Sequence, residues 1–260
     1  MARTLSQIDE GYALFVSAFQ PEELEREKRF HLNVQGEELG GKFTQYRLFL
    51  VRDVNSGLIV AAFAGNVMDM GEGESVFLVA YAVTRPQYQG LGLLRELFVS
   101  SLMQAEMDAK ARGEKLILVL GECTECSIDN WSSLGLRQLW LSEDGQRYSE
   151  SRFTQPALFF DLGTGQPGEG AGVVTEHLML RPFDCLVTKW LVFRAVQALF
   201  MWCARRTPDD FHNEYAYETY RRHFDELLSE FFESLFLPPT LCLFTAQERI
   251  QAQRRGAVFR

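Results

Sequence analysis

The sequence predicts an α/β fold: a mixed, mainly antiparallel central sheet flanked by helices, with an all-helical C-terminal extension. Three observations predict it. Residues 45–83 hold three β-rich runs separated by turn signals, as consecutive antiparallel strands do. A helical stretch then leads into the continuous apolar run Leu116-Ile117-Leu118-Val119-Leu120, typical of a strand covered on both faces. From Phe183 onward the pattern is helical throughout.

Residues 7–31 read as helical, with Pro21 opening a second helix whose first turn carries Glu22 and Glu23. After Gly40-Gly41 the run Gln45–Val51 reads as a strand. Asn55-Ser56-Gly57 turns it back into Leu58–Met68, which makes an antiparallel hairpin. A third strand, Ser75–Val83, is broken by Pro86 and Gly90. A helix follows from Leu91 to Ala111, with Leu94, Leu97, Phe98 and Leu102 on one face, and Gly113 ends it. Beyond the buried strand 116–120, a short helix around Ser127–Leu134 is stopped by Gly135. Gln138–Leu141 and Phe153–Leu162 are expected to pair as strands. Gly163–Gly172 reads as a glycine-rich loop, and Glu176–Leu180 as one more short strand.

Phe183–Ala204 is apolar almost all round and close to the roughly 20 residues that span a bilayer. Asp184, Lys189, Arg194 and Gln197 interrupt it, which favours a buried core or subunit-interface helix over a membrane span. Asp209–Phe236 is amphipathic, with Tyr220, Phe224, Leu227, Leu228, Phe231 and Leu235 at helical spacing, and Pro238-Pro239 ends it. The expected division is a catalytic-type domain over 1–180 and a helical extension over 181–260. The extension is expected to complete a homodimer interface or to lid a substrate site.

Composition narrows the function classes. Of the 260 residues 47% are hydrophobic and 23% charged, which excludes wholesale disorder. Acidic residues outnumber basic ones 35 to 26, for a net charge of −9. That balance argues against a nucleic-acid partner, because phosphate binding needs a concentrated positive face. It suits a cationic substrate such as an amine, although acidity also serves solubility. The N-terminus lacks the basic stretch, apolar core and cleavage site of a signal peptide. Five scattered cysteines do not make a disulfide framework, so a cytoplasmic protein is expected. Cys123-x-x-Cys126 is a lone pair. None of His31, His177, His212 and His223 forms a second pair with it, and no metal is expected.

The informative stretch runs from Tyr81 to Leu97: a strand, a glycine-rich turn at Gln89-Gly90-Leu91-Gly92-Leu93-Leu94, and a helix start. Backbone N–H groups at such a junction lack helical partners and converge. With the helix dipole they form an anion site suited to a pyrophosphate. The dinucleotide fingerprint is not met, because position 95 is Arg where a third glycine belongs, and the Gly-Lys-Ser/Thr of a P-loop is absent.

On these residues, and on the order of elements around them, the chain resembles the GNAT N-acetyltransferase superfamily over roughly residues 5–165. That family's Gln/Arg-x-x-Gly-x-Gly/Ala loop cradles coenzyme A. The pattern fits here as Gln87-x-x-Gly90-x-Gly92, or, closer to the family's local context, as Gln89-x-x-Gly92-x-Leu94. A second likeness is Trp131-Ser132-Ser133-Leu134-Gly135-Leu136, where family members often carry Tyr-x-x-Leu-Gly-Phe. The resemblance implies direct transfer of an acetyl or other acyl group from acyl-coenzyme A to a small-molecule or peptide amine. It implies coenzyme A contacts at Gln89, Gly90, Leu91, Gly92, Leu93 and Leu94. Backbone N–H groups near Ala82 and Val83 would serve the thioester carbonyl. Glu122, at the end of the buried strand, is the candidate base, with a plain helix N-terminal charge as its competing role. Trp131 stands where the family's Tyr often acts as acid, and indole has no such chemistry at neutral pH. A coenzyme A-binding protein without catalysis is therefore the alternative.

Overall fold

The computed structural model describes residues 1, 4–36, 45–142, 144–150, 153–169, 175–237 and 240–259. Helix α1 (Leu5–Val16) is closed at its start by a capping box between Thr4 and Gln7. Helix α2 (Glu27–Gln35) follows. Strands β1 (Gln45–Arg52), β2 (Ile59–Gly71) and β3 (Glu74–Thr84) form an antiparallel meander. Helix α3 (Leu93–Ala111) then crosses over to β4 (Lys115–Cys123), which lies parallel to β3. Next come α4 (Ile128–Ser133), β5 (Arg137–Ser142), β6 (Arg147–Glu150), β7 (Phe153–Thr154) and β8 (Thr175–Pro182). Helices α5 (Lys189–Cys203) and α6 (Glu214–Phe236), strand β9 (Thr240–Phe244), helix α7 (Ala246–Arg254) and strand β10 (Val258–Phe259) complete the chain. The sheet order is β1-β2-β3-β4-β8-β5-β6-β10, with β9 on β5 and β7 on β8. The mixed, mainly antiparallel sheet flanked by helices is the expected one.

Both faces of the central strands are covered, which is why they read as unbroken apolar runs. Phe49, Phe63, Phe77, Val119 and Met179 face α3 and α4. Leu48, Ala62, Ala64, Leu78, Leu120 and Leu180 face α1, α2 and α5. Helix α5 fills the second layer: Val192, Ala195 and Val196 have no exposed surface. Its all-round apolar character is explained by the sheet on one side and α6 on the other. No described helix is long and apolar enough to cross a membrane.

Four expectations need correction. Pro21 opens only a short 3-10 turn, Pro21–Glu23. The chain is extended at Leu24, whose side chain is buried, and helix α2 begins at Glu27. Strand β5 pairs with β6, not with Phe153–Leu162. Asp144 Oδ1 accepts from the Gln146 and Arg147 N–H groups and turns the chain tightly enough for that hairpin. Pro156 lies beyond the two residues of β7, where a ladder N–H would be lost. Lastly, the tail's helices start later than their apolar patterns, at Lys189 and Glu214, where Thr188 and Asn213 cap them. The tail also returns to the sheet as β9 and β10. Of the glycine-rich stretch, residues 163–169 form turns around Asp161, whose Oδ1 accepts from the Gly163 and Thr164 N–H groups. Residues 170–172, like Pro238-Pro239, lie outside the described residues.

Candidate active site

The glycine turn closes on itself before α3 begins. Pro86–Tyr88 is a 3-10 turn, and Gln89 Nε2 donates to the Thr84 carbonyl at 3.4 Å. Gly90 and Gly92 take φ of 78° and 77°, a conformation that costs other residues about 1 kcal/mol or more. A Cβ at either glycine would meet nothing within 4 Å, so both face open space. Gly92 is the N-cap and offers no side chain to the first turn, and the first intrahelical bond is Glu96 N–H to the Gly92 carbonyl. The N–H groups of Leu93, Leu94 and Arg95 therefore precede any helical partner, at the positive end of a 19-residue helix. Leu91 is exposed, while Leu93 and Leu94 pack into the α3 core. The side chain at position 94, larger than the pattern prefers, thus packs inward against the core.

Strands β3 and β4 part beside this loop. Their ladder runs from Glu74↔Lys115 to Val79↔Gly121 and stops. Tyr81, Ala82, Val83 and Thr84 remain paired to β2 alone. Ala80 is an extra residue between Gly65↔Val79 and Ala64↔Tyr81, a bulge that re-aims the strand where the gap opens. A cavity of about 110 Å³ occupies this region. Ala82 and Glu122 line it, and so does Trp131 of α4. Val83 packs on the α5 side. Thus Ala82 and Glu122 share one cavity, at the end of the strand that leads into the loop of Gln89–Leu94, while Val83 lies on the other face and does not line it.

Register brings a second carboxylate that the sequence did not reveal. Glu122 lies opposite Leu178 on β8, and Glu176 is two residues further along the same face. Both line the cavity, together with Glu23 and Glu25. Glu25 is already satisfied: it accepts from Asn33 Nδ2 at 2.9 Å and pairs with Arg29 at 3.2 Å. Glu122 is half-buried, yet its Oε1 is sealed from water and accepts no hydrogen bond. Burial, and then the charge of Glu176, hold the Glu122 carboxyl well above the usual range. Burial, reinforced by Glu23 and opposed by His177, lifts Glu176 to about 7. Nothing in the local sequence around Glu176 marks it. Only the β4–β8 register does.

The other cavity groups bear on which reactions are open. Burial pushes the Cys123 and Cys203 thiols up to about 12, so neither offers a thiolate nucleophile at neutral pH. Tyr81 accepts from the Glu25 N–H at 3.0 Å, and burial holds its hydroxyl protonated. Cys126 is exposed, and the Cys123-x-x-Cys126 pair is part of no ligand cluster among the described residues. The one such group there is Asp9, Glu27 and His31, away from this cavity.

No protein-family model and no curated protein matches the sequence. Solved structures do resemble the fold. Arabidopsis thaliana NAA60, in complex with a bisubstrate analogue, is 8% identical at a TM-score of 0.47, covering 71% of this chain and 97% of its own. A putative GNAT-family acetyltransferase from Bacteroides thetaiotaomicron is 12% identical at 0.46, covering 80% and 98%. The ribosomal-protein-S18-alanine N-acetyltransferase from Escherichia coli is 18% identical at 0.42, covering 72% and 94%. Likeness of this depth leaves the chemistry to the side chains themselves.

Proposed function

We propose that the protein is an acyl-coenzyme A-dependent N-acyltransferase that transfers an acetyl or other acyl group to an amine. The observation that carries this reading is the juxtaposition at one gap. An uncapped, glycine-opened helix start adjoins parted parallel strands, and a buried carboxyl pair sits in the cavity between them. The loop fits a pyrophosphate, because the space that Cβ atoms would fill at Gly90 and Gly92 is open. The N–H groups of Gly90–Leu94 would hold it, while that of Gln89 is taken by the Pro86 carbonyl at 3.2 Å. An acyl thioester supplies an electrophilic carbonyl carbon and a good leaving group.

The chain's own residues supply the rest. The backbone N–H of Ala82, on the edge of β3 that β4 leaves uncovered, would serve a carbonyl oxygen that gains charge, whereas that of Val83, in phase with the Arg85 N–H that donates to Val60, faces β2. Burial raises both carboxyls of the pair. Glu176, lifted to about 7, ionises near neutral pH and is the better base for an incoming ammonium. This moves the base from Glu122, the sequence candidate, to its neighbour on β8. With both thiols protonated, direct attack by the amine is favoured over a covalent acyl-cysteine. Trp131 lines the cavity without acid chemistry, so the Tyr81 hydroxyl and the Glu122 carboxyl, both raised by burial, are the proton donors at hand.

The test is thiol release from acetyl-coenzyme A across a panel of primary amines, with binding measured separately by calorimetry. Turnover that falls at least tenfold in Glu176→Gln, with coenzyme A affinity unchanged, is expected. Binding without thiol release on any amine would support the non-catalytic reading, for which Trp131 speaks. Absence of both would sink the proposal.

A further inference from the structure

A second hollow, of about 510 Å³, lies on the α5 face near the β2–β3 turn and the end of α3. That size falls within the range of small-molecule sites. Its lining contains polar groups that the protein leaves without partners. Asn66 of β2 has no exposed surface, and neither its Oδ1 nor its Nδ2 is hydrogen-bonded. Arg205 is buried, stacks 4.6 Å over the ring of Trp202, and makes one hydrogen bond, from Nη2 to Asn33 Oδ1. Its Nε and Nη1 have none. An orphaned buried amide or guanidinium costs on the order of 1–3 kcal/mol or more, and native proteins rarely gather several at one spot.

The charges nearby do not resolve this. Arg194 and Arg112 also line the hollow, but Arg194 is held by Glu72 and Glu74 and Arg112 by Glu114. Asp69 is exposed and its Oδ1 accepts from the Gly71 N–H. Glu25, the buried carboxylate nearest in the network, is engaged by Arg29 and Asn33. Among the described residues Arg205 is thus a buried cation with no carboxylate of its own. The remaining walls are soft and apolar: Met68, Met70 and Met201.

We propose that this hollow binds a small organic anion, with a carboxylate or phosphate head on Arg205 and Asn66 and an apolar body against the methionines. The head supplies acceptors for the unpaired Arg205 and Asn66 N–H groups and the charge that Arg205 lacks. The proposal is independent of the acyltransfer reading, because none of these three kinds of contact uses the glycine loop or the carboxyl pair.

Calorimetry and thermal melts of the full chain with hexanoate, hexyl phosphate and hexanol test it. Saturable binding of at least one anion at millimolar concentration is expected, with a rise in melting temperature. Which of the two binds tells carboxylate from phosphate. Hexanol should bind about tenfold more weakly or not at all. Asn66→Leu, nearly isosteric, should fold, melt higher than the wild type by removing an orphaned amide, and lose the anion response about tenfold or more. Arg205→Met should lose it as well, and Gly92→Glu should keep it. Equal binding of hexanol, an unchanged response in Asn66→Leu, or no binding of either anion would each overturn the site.

Discussion

Burial beside Glu23 holds the Glu176 carboxyl at about 7, against an ordinary 4.5, and this makes the residue a point where pH acts on stability and, on the proposed function, on turnover. Between those two values the folded protein keeps a proton that the unfolded chain has released. Stability therefore falls as pH rises across that window. Glu122, also raised by burial, acts in the same direction. Glu176→Gln removes the Glu176 share. It is expected to melt like the wild type at pH 4.5 and to be more stable at pH 8, by up to about 3 kcal/mol. Denaturant unfolding at the two pH values measures this, and an equal difference at both would refute the linkage. Turnover should move the other way. In the wild type it should rise with pH through about 7 as the base ionises, and in Glu176→Gln that limb should vanish from the pH profile. The contrast between the two residues also shows what a sequence can reveal. Glu122 could be singled out because it ends the buried run 116–120, whereas Glu176 enters the cavity through its register on β8, which no local pattern encodes.

At the scale of elements, the glycine turn and α3 were the most legible part, because positive φ, an uncapped start and a 3.6-residue apolar stripe each leave their mark in the residues. The hairpins were legible for a similar reason: Gly57 supplies the positive φ that the β1–β2 turn needs. The stretch after Thr154 was not. Phe153, Ala157, Leu158 and Phe160 are buried, and that burial imitates a strand in the sequence, although the backbone pairs only at Phe153–Thr154 and at the Phe160↔Pro167 bridge. Gly92→Glu tests the loop as an element. Its Cβ would clash with nothing, so only the cost of φ at 77°, about 1 kcal/mol, falls on the fold. A cooperative melt a few degrees lower is expected, together with a large loss of coenzyme A affinity, since a carboxylate then stands where the pyrophosphate would lie. Calorimetry with coenzyme A reads the second effect, and unchanged affinity would remove the loop from the site.

At the scale of the molecule, the tail packs on the same sheet that the first 182 residues build. The sequence separated 181–260 as a helical extension because its period changes at Phe183. The structure shows why that change need not make a boundary. Helix α5 lays Val192, Ala195, Val196 and Leu199 on the sheet face that α1 and α2 leave open, and β9 lengthens the sheet through five pairs with β5. Leu199, Trp202 and Cys203 also wall the cavity that holds Glu122 and Glu176. The homodimer expected from the sequence would have to use what α5 and α6 still expose. That is an aromatic strip in which Phe193 packs edge-on to Phe232 at 5.2 Å and Phe232 stacks on Phe236 at 4.4 Å. Sedimentation of the full chain and of Phe232→Glu reads that interface directly. A chain ending at Pro182 is a sharper test of the whole. It would lose the cover over Ala62, Ala64, Leu78 and Leu120, all buried in the full protein, and no second layer could replace it. Such a chain is expected to be insoluble, or soluble only as a loosely packed state that binds a hydrophobic dye and melts without cooperativity. A soluble truncated protein with a sharp melt and intact coenzyme A binding would show instead that residues 1–182 close their own core, and that α5 is an addition to a finished domain.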